Sequence, residues 1–214
     1  MAELNHIAAV IALTMGIAWA SGINLYASIL VLGILGATGN IVLPPDLRIL
    51  ADPVVIAAAG FMYFLEFFAD KIPGVDSGWD ALHTFIRIPA GAFLAARAVG
   101  DVNPALVLAA AIVGCGLTAG VHAVKAGTRV VINTSPEPFT NWTASVLEDL
   151  MVIGGLWMAL SHPWLFLALL VVFVAFMIWL LPRLWRWNRK VFGYLGRLFG
   201  RKPPGPVPQS PADA

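Results

Sequence analysis

The 214 residues are 59% hydrophobic and 12% charged, with a formal net charge of +1 and a mean hydropathy of +0.83. Soluble domains run at roughly 45–50% apolar and 25% charged residues, so a water-soluble globule is excluded, and no nucleic acid is expected as a partner. The single Cys115 lies in an apolar run and leaves no internal disulfide; a buried, inert thiol is expected.

In chain order the hydropathy pattern predicts an all-α bundle of about six membrane spans. The opening residues Met1 to His6 lack the basic stretch of a cleavable signal peptide. The first apolar segment covers about residues 6–35 and closes at Gly36-Ala37-Thr38-Gly39-Asn40, before the Pro44-Pro45 loop. A second span covers about 54–70 and ends at Lys71-Ile72-Pro73-Gly74. The third, about 77–99, is interrupted by Asp80, His83, Arg87 and Arg97, and Ser77-Gly78-Trp79-Asp80 has the form of a capping box opening it. Asn103-Pro104 opens the fourth, which ends near Asn133 to Pro136; the fifth covers about 140–160 and stops at Ser161-His162-Pro163. The sixth, 164–181, is apolar throughout, with Trp164, Trp179, Trp185 and Trp187 near its ends as in an interfacial aromatic belt.

Seven of the thirteen Lys and Arg residues (Arg183, Arg186, Arg189, Lys190, Arg197, Arg201 and Lys202) follow the last apolar run. Placing them in the cytoplasm, by the positive-inside rule, puts both termini there if the spans number six. Lys71, Lys125 and Arg129 then also fall inside, and Arg48 and Arg97 outside. A five-span alternative moves the N-terminus outward and makes the third segment re-entrant or interfacial. The segment 183–202, with Trp185, Trp187, Phe192, Tyr194 and Phe199 among its cations, is expected to lie along anionic lipids of an inner membrane leaflet. The Pro-rich stretch 203–214 is expected to be disordered.

Two of these spans are longer than the ~20 residues a bilayer core needs, and each carries a small-residue and polar cluster at mid-length. The first holds Ser21-Gly22-Ile23-Asn24, the fourth Thr118-Ala119-Gly120-Val121-His122. Asn24 and His122 occupy matching places in the two clusters. Paired interruptions of this kind point to a site at the bilayer midplane between repeats of inverted topology. The expectation is a 3+3 inverted-topology repeat, 1–100 against 101–182, with interrupted first and fourth helices. The alternative is that small residues recur wherever membrane helices pack closely.

Polar residues crowd the region 66–87. Glu66 and Asp70 are four apart and share a helix face; Asp76, Asp80, His83 and Arg87 form one stripe at i, i+4, i+7 and i+11. Such a stripe cannot face lipid, because each charge there costs about 2.5–3.5 kcal/mol or more. Glu148-Asp149 enters the fifth span on the same side, and Lys125 and Arg129 close the fourth. The candidate binding residues are therefore Ser21, Gly22, Asn24, Glu66, Asp70, Asp76, Asp80, His83, Arg87, Gly120, His122, Lys125, Glu148 and Asp149. Asp76, Asp80 and His83 also offer oxygen and nitrogen ligands to a divalent metal ion. Each has a plainer alternative: Asp76 and Asp80 as cap residues, Arg87 in a structural ion pair, His122 as a neutral imidazole bonded across the bundle, Asn24 satisfying backbone groups freed by a break. No P-loop, nucleophile turn or dinucleotide fingerprint occurs, and an enzyme is the weaker expectation.

Ser21-Gly22-Ile23-Asn24-Leu25-Tyr26, then Glu66, the run Ala69-Asp70-Lys71-Ile72-Pro73-Gly74-Val75-Asp76-Ser77-Gly78-Trp79-Asp80 and His83-Thr84 resemble a family of bacterial polytopic membrane proteins, domain-of-unknown-function family 4126. The resemblance covers about residues 8–180. It implies a multi-pass inner-membrane protein and carries no established activity or catalytic residue. From the residues themselves, the expected function is movement of a small cation or proton-coupled solute through a midplane site. The rival expectations are recognition of an anionic lipid head group by Lys71, Arg87, Lys125 and Arg129, and a structural or assembly role. A homo-oligomer is compatible with any of them.

Overall fold

Prolines set where four of the helices start. Pro has no N–H to leave unsatisfied in the first turn, and its fixed φ suits that position. In the computed structural model, which describes residues 1–100, 102–134 and 138–198, α2 (Pro53–Ala69), α4 (Pro104–Ile132), α5 (Pro138–Ser161) and α6 (Pro163–Leu198) all open this way. Asp52 and Asn103 cap two of them by accepting from the N–H groups of Val54 and Ala105, each at 2.8 Å. α1 (Ala2–Ala37) precedes a short 3₁₀ segment (Pro45–Ala51), and α3 (Val75–Ala98) follows α2 across a five-residue turn ending in Gly74 at φ +86°. That φ lies in the left-handed region where glycine carries no steric penalty. No strand occurs among the described residues.

Four helices are long and apolar enough to cross a membrane: α1, α4, the Phe139–Ser161 part of α5 and the Pro163–Val191 part of α6. The 3₁₀ segment and α2, bent by 66° at their junction, make a fifth if taken as one broken span. α3 has the length but not the composition, because one side of it is charged. Its buried stripe is Asp76, Asp80, His83, Arg87, Gly91, Leu94, Ala95 and Ala98, while Leu82, Phe85, Ile86 and Phe93 face outward. The arrangement is inside-out, with polar residues within the bundle and apolar residues on its surface.

α1 is the central helix and touches every other one. From Gly16 to Leu25 all of its residues are buried. Close approach depends on glycines: a Cβ on Gly22 would stand 2.7 Å from the Val121 Cβ of α4, and one on Gly16 2.9 Å from the Ala159 Cβ of α5. The two small-residue clusters expected to face each other thus do meet, at Gly22 and Val121.

Only one of the two expected breaks is present. α1 departs from helical geometry at Asn24 (φ −148°, ψ 102°), but α4 runs unbroken from Pro104 to Ile132. The physical difference lies in the side chains. The Asn24 Oδ1 accepts from the Ala27 N–H at 2.9 Å, capping a new helix start. His122 makes no such cap, because its ring reaches across to α3, and Gly120 serves close packing against Met177. The interrupted fourth helix is therefore corrected to a continuous one.

Two boundaries also differ from expectation. α3 starts at Val75, so Ser77 does not cap it; instead the Asp76 carboxylate accepts from the N–H groups of Gly74 and Ser77 at 2.9 and 2.6 Å. α6 continues through Pro182 to Leu198, carrying Arg183, Arg186, Arg189 and Lys190 on the same helix as the apolar span. The side chains of Phe192, Tyr194 and Arg197, and residues 199–214 with Phe199, Arg201, Lys202 and the Pro-rich stretch, lie outside the described residues.

Candidate functional site at the break in the first helix

A break in a helix leaves backbone carbonyls without intrahelical donors, and in an apolar slab those groups must be met by something else. At Asn24 they are met by cations. The Ile23 carbonyl, at the C-terminal end of the first half of α1, accepts from Lys125 Nζ of α4 at 3.1 Å and Arg87 Nη1 of α3 at 3.3 Å. Positive charge is favoured at that end of a helix by the aligned peptide dipoles.

Around these two cations the carboxylates gather. Lys125 Nζ stands 3.2 Å from Glu66, 3.1 Å from Asp70, 3.4 Å from Glu148 and 3.7 Å from Asp80. Arg87 pairs with Glu66 and, at 3.1 Å, with Asp80. Arg129 holds Glu148 through two nitrogens at 2.7 and 3.2 Å and reaches Asp70 at 3.5 Å. The Arg87, Arg129 and Glu66 side chains are 1% exposed or less, so nothing in this cluster is a surface ion pair of the kind worth little. One oxygen each of Glu66, Asp70 and Asp80, and Arg87 Nε, has no partner.

The hydrogen bonds fix the histidines as well. His122 Nδ1 faces the Arg87 guanidinium at 3.3 Å and must accept; its Nε2 lies 2.8 Å from the Thr84 hydroxyl and 3.1 Å from the Asp80 carbonyl. Since Thr84 already donates to that carbonyl, Nε2 carries the hydrogen, and the ring is neutral. His83 donates from Nδ1 to the Trp79 carbonyl at 2.9 Å, accepts from the Tyr26 hydroxyl at 3.1 Å, and stacks on Trp79.

The remaining expected residues fall on two sides of this cluster. Asp149 accepts from Asn24 Nδ2 at 3.2 Å and from the Tyr63 hydroxyl at 3.0 Å. Ser21 is buried with its hydroxyl unpartnered, and Gly22 is the contact with α4. Gly120 lies against Met177, away from the charges. Asp76 belongs to a separate latch: Asn133, ending α4, donates to both of its oxygens at 2.7 and 3.0 Å and accepts from Asn141 of α5. In the loop after α2, burial lowers the Lys71 ammonium from its ordinary value, against the opposite charges nearby.

Asp76, Asp80 and His83 are not brought to one point, which corrects the metal expectation. Asp76 is spent on backbone N–H groups and Asn133, Asp80 on Arg87 and Lys125, His83 on Trp79 and Tyr26. Among the described residues no group of three or more His, Cys, Asp or Glu is arranged to hold a metal ion. Tyr63, Asn133 and Asn141 were not singled out from the sequence. The signal for Tyr63 was available, since it stands three residues before Glu66 on the same face of an otherwise apolar helix. An apolar cavity of about 390 Å³ between α1, α5 and α6, lined by Trp19, Gly155, Met158, Phe166 and Phe173 among others, includes none of the charged residues.

These features define a polytopic α-helical membrane protein with a charge cluster sealed inside the bundle. The chain belongs to the family described as Domain of unknown function (DUF4126), whose model matches residues 11–183. No curated protein and no solved structure matches it.

Proposed function

We propose that the protein moves a small cation, or a solute coupled to protons, through the polar site beside the break in α1. The observation that carries this reading is the charge imbalance of the cluster. Five carboxylates (Glu66, Asp70, Asp80, Glu148, Asp149) surround three cations (Arg87, Lys125, Arg129). Adding the half-buried Lys71 and the latch residue Asp76 leaves the same excess of two negative charges. An uncompensated buried carboxylate costs several kcal/mol, so the excess calls for protons or cations, which is the cargo proposed. The broken helix beside the cluster is the other support, as such breaks supply ion and substrate contacts in transporter folds.

The topology that accompanies this reading has six spans, with α3 as the sixth, and two halves, 1–100 and 101–182, of inverted order meeting at Gly22 and Val121. Both termini are cytoplasmic in a bacterial inner membrane, with the cations of α6 against anionic lipids. The head-group alternative is less favoured, because Arg87, Lys125 and Arg129 are already engaged by carboxylates. The density of that pairing does support a second reading, in which the charges tie helices together and nothing is moved. Flux into proteoliposomes separates the two: transport of protons or a monovalent cation is expected for the native chain and for Arg48→Ala, and is expected to be lost in Asp80→Asn. Equal flux in the two variants, or none above empty vesicles, overturns the transport reading.

A further inference from the structure

We propose that Asp149 is the exchangeable carboxyl of this site, the one that takes up and releases the proton, with Tyr63 and Asn24 as the residues that position it. The inference rests on the transport reading and names the group that would carry it out. Its basis is a difference in bonding among the carboxylates. Glu66, Asp70, Asp80 and Glu148 each lie within 4 Å of two cations. Protonating any of them would leave a buried guanidinium or ammonium short of a counter-charge, which is costly. Asp76 lacks a cation too, but both of its oxygens are already taken, by the N–H groups of Gly74 and Ser77 and by Asn133 Nδ2.

Asp149 differs from all of these. Its two oxygens accept only from uncharged donors, Asn24 Nδ2 on α1 and the Tyr63 hydroxyl on α2, and no cation lies within 4 Å among the described residues. The charged groups facing it from further away are Glu66 on α2, Lys71 in the loop after α2 and Lys125 on α4, with Glu148 adjacent on α5. It is half-buried, whereas Glu66 and Asp80 are sealed. A carboxyl in this setting can change its charge without breaking an ion pair. Its hydrogen bond to Asn24 also couples that change to the break: the same side chain caps the second half of α1 through Ala27. The step is a plain proton transfer, in which an O–H bond forms on Asp149 from a hydronium ion on one side and is given up to water on the other.

Dicyclohexylcarbodiimide, an apolar reagent that reacts with protonated carboxyls, tests this without needing a cargo. The full chain in detergent is treated at acid and alkaline pH, and the modified residue is found by peptide mass mapping. The expected result is an adduct on Asp149 that fades as the pH rises. In Tyr63→Phe the adduct is expected to persist to higher pH, because a donor to the charged form has been removed. Asp149→Glu is expected to keep the labelling, and Asp149→Asn to abolish both labelling and flux. Adducts confined to other carboxyls, or labelling of Asp149 indifferent to pH and to Tyr63→Phe, overturn the inference. If flux survives Asp149→Asn but not Asp80→Asn, the inference falls and the transport reading stands. If pH-dependent labelling of Asp149 is found but the native chain moves nothing, the transport reading falls and the exchangeable carboxyl stands.

Discussion

Replacing Lys125 with Met tests whether the charge cluster holds the bundle together. The Lys125 ammonium lies within 4 Å of Glu66, Asp70, Asp80 and Glu148 and donates to the carbonyl freed at the α1 break. Removing one partner of a buried ion pair costs about 3–5 kcal/mol, because the charge left behind is neither paired nor hydrated. Here every carboxylate retains one guanidinium: Arg87 still holds Glu66 and Asp80, and Arg129 still holds Asp70 and Glu148. The loss should therefore sit near the lower end, about 3 kcal/mol. At about 2–4 °C per kcal/mol for a chain of this size, the melting temperature falls by about 6–12 °C. Tryptophan fluorescence of the detergent-solubilised protein reads the transition. Arg97→Ala is the comparison, since its pair with Asp46 is 49% and 46% exposed and such pairs contribute about 0.2–1 kcal/mol. If Lys125→Met melts no lower than Arg97→Ala, the cluster is not a structural hub.

Asn24→Ala removes the cap on the second half of α1 and one of the two donors to Asp149, so a loss of about 1 kcal/mol is expected; hydrogen exchange should rise locally at Leu25 to Ser28, and uniform protection there would contradict the role given to Asn24. Gly155 lies directly against the Trp19 ring, whereas Gly154 next to it faces open space. Gly155→Ala should cost about 1–3 kcal/mol through overpacking, visible in the same melting assay. Gly154→Ala, with nothing to clash against in a helix interior, should melt no lower than the native chain and gain up to about 1 kcal/mol.

Membership of an all-α membrane class was legible from composition, and the start of the fourth helix from Asn103-Pro104, because these are local properties: a missing N–H or a side-chain cap acts within one turn. The buried stripe on α3 was legible for a related reason. Four polar residues at i, i+4, i+7 and i+11 define a face whatever surrounds it, and lipid excludes charge from the opposite side. The break at Asn24 was readable because Asn carries an acceptor that can start a helix anew. The parallel inference for His122 failed on the same ground, since an imidazole pointing across the bundle caps nothing and Gly120 alone does not bend a helix that Met177 packs against.

What the chain determined by itself is thus which residues could not face lipid and where helices could begin. Which charge meets which was decided by tertiary structure alone. Lys125 is 59 residues from Glu66 and Arg129 is 59 from Asp70; their meeting depends on how closely α2 and α4 each approach α1, and those distances are set by glycines (Gly33 against Ile56, Gly22 against Val121) whose partners the sequence does not name. The same holds for the separation of Asp149 from the cations. Adjacent in sequence to Glu148, it turns toward Asn24 and Tyr63 while Glu148 turns toward Arg129, because successive residues on a helix point about 100° apart.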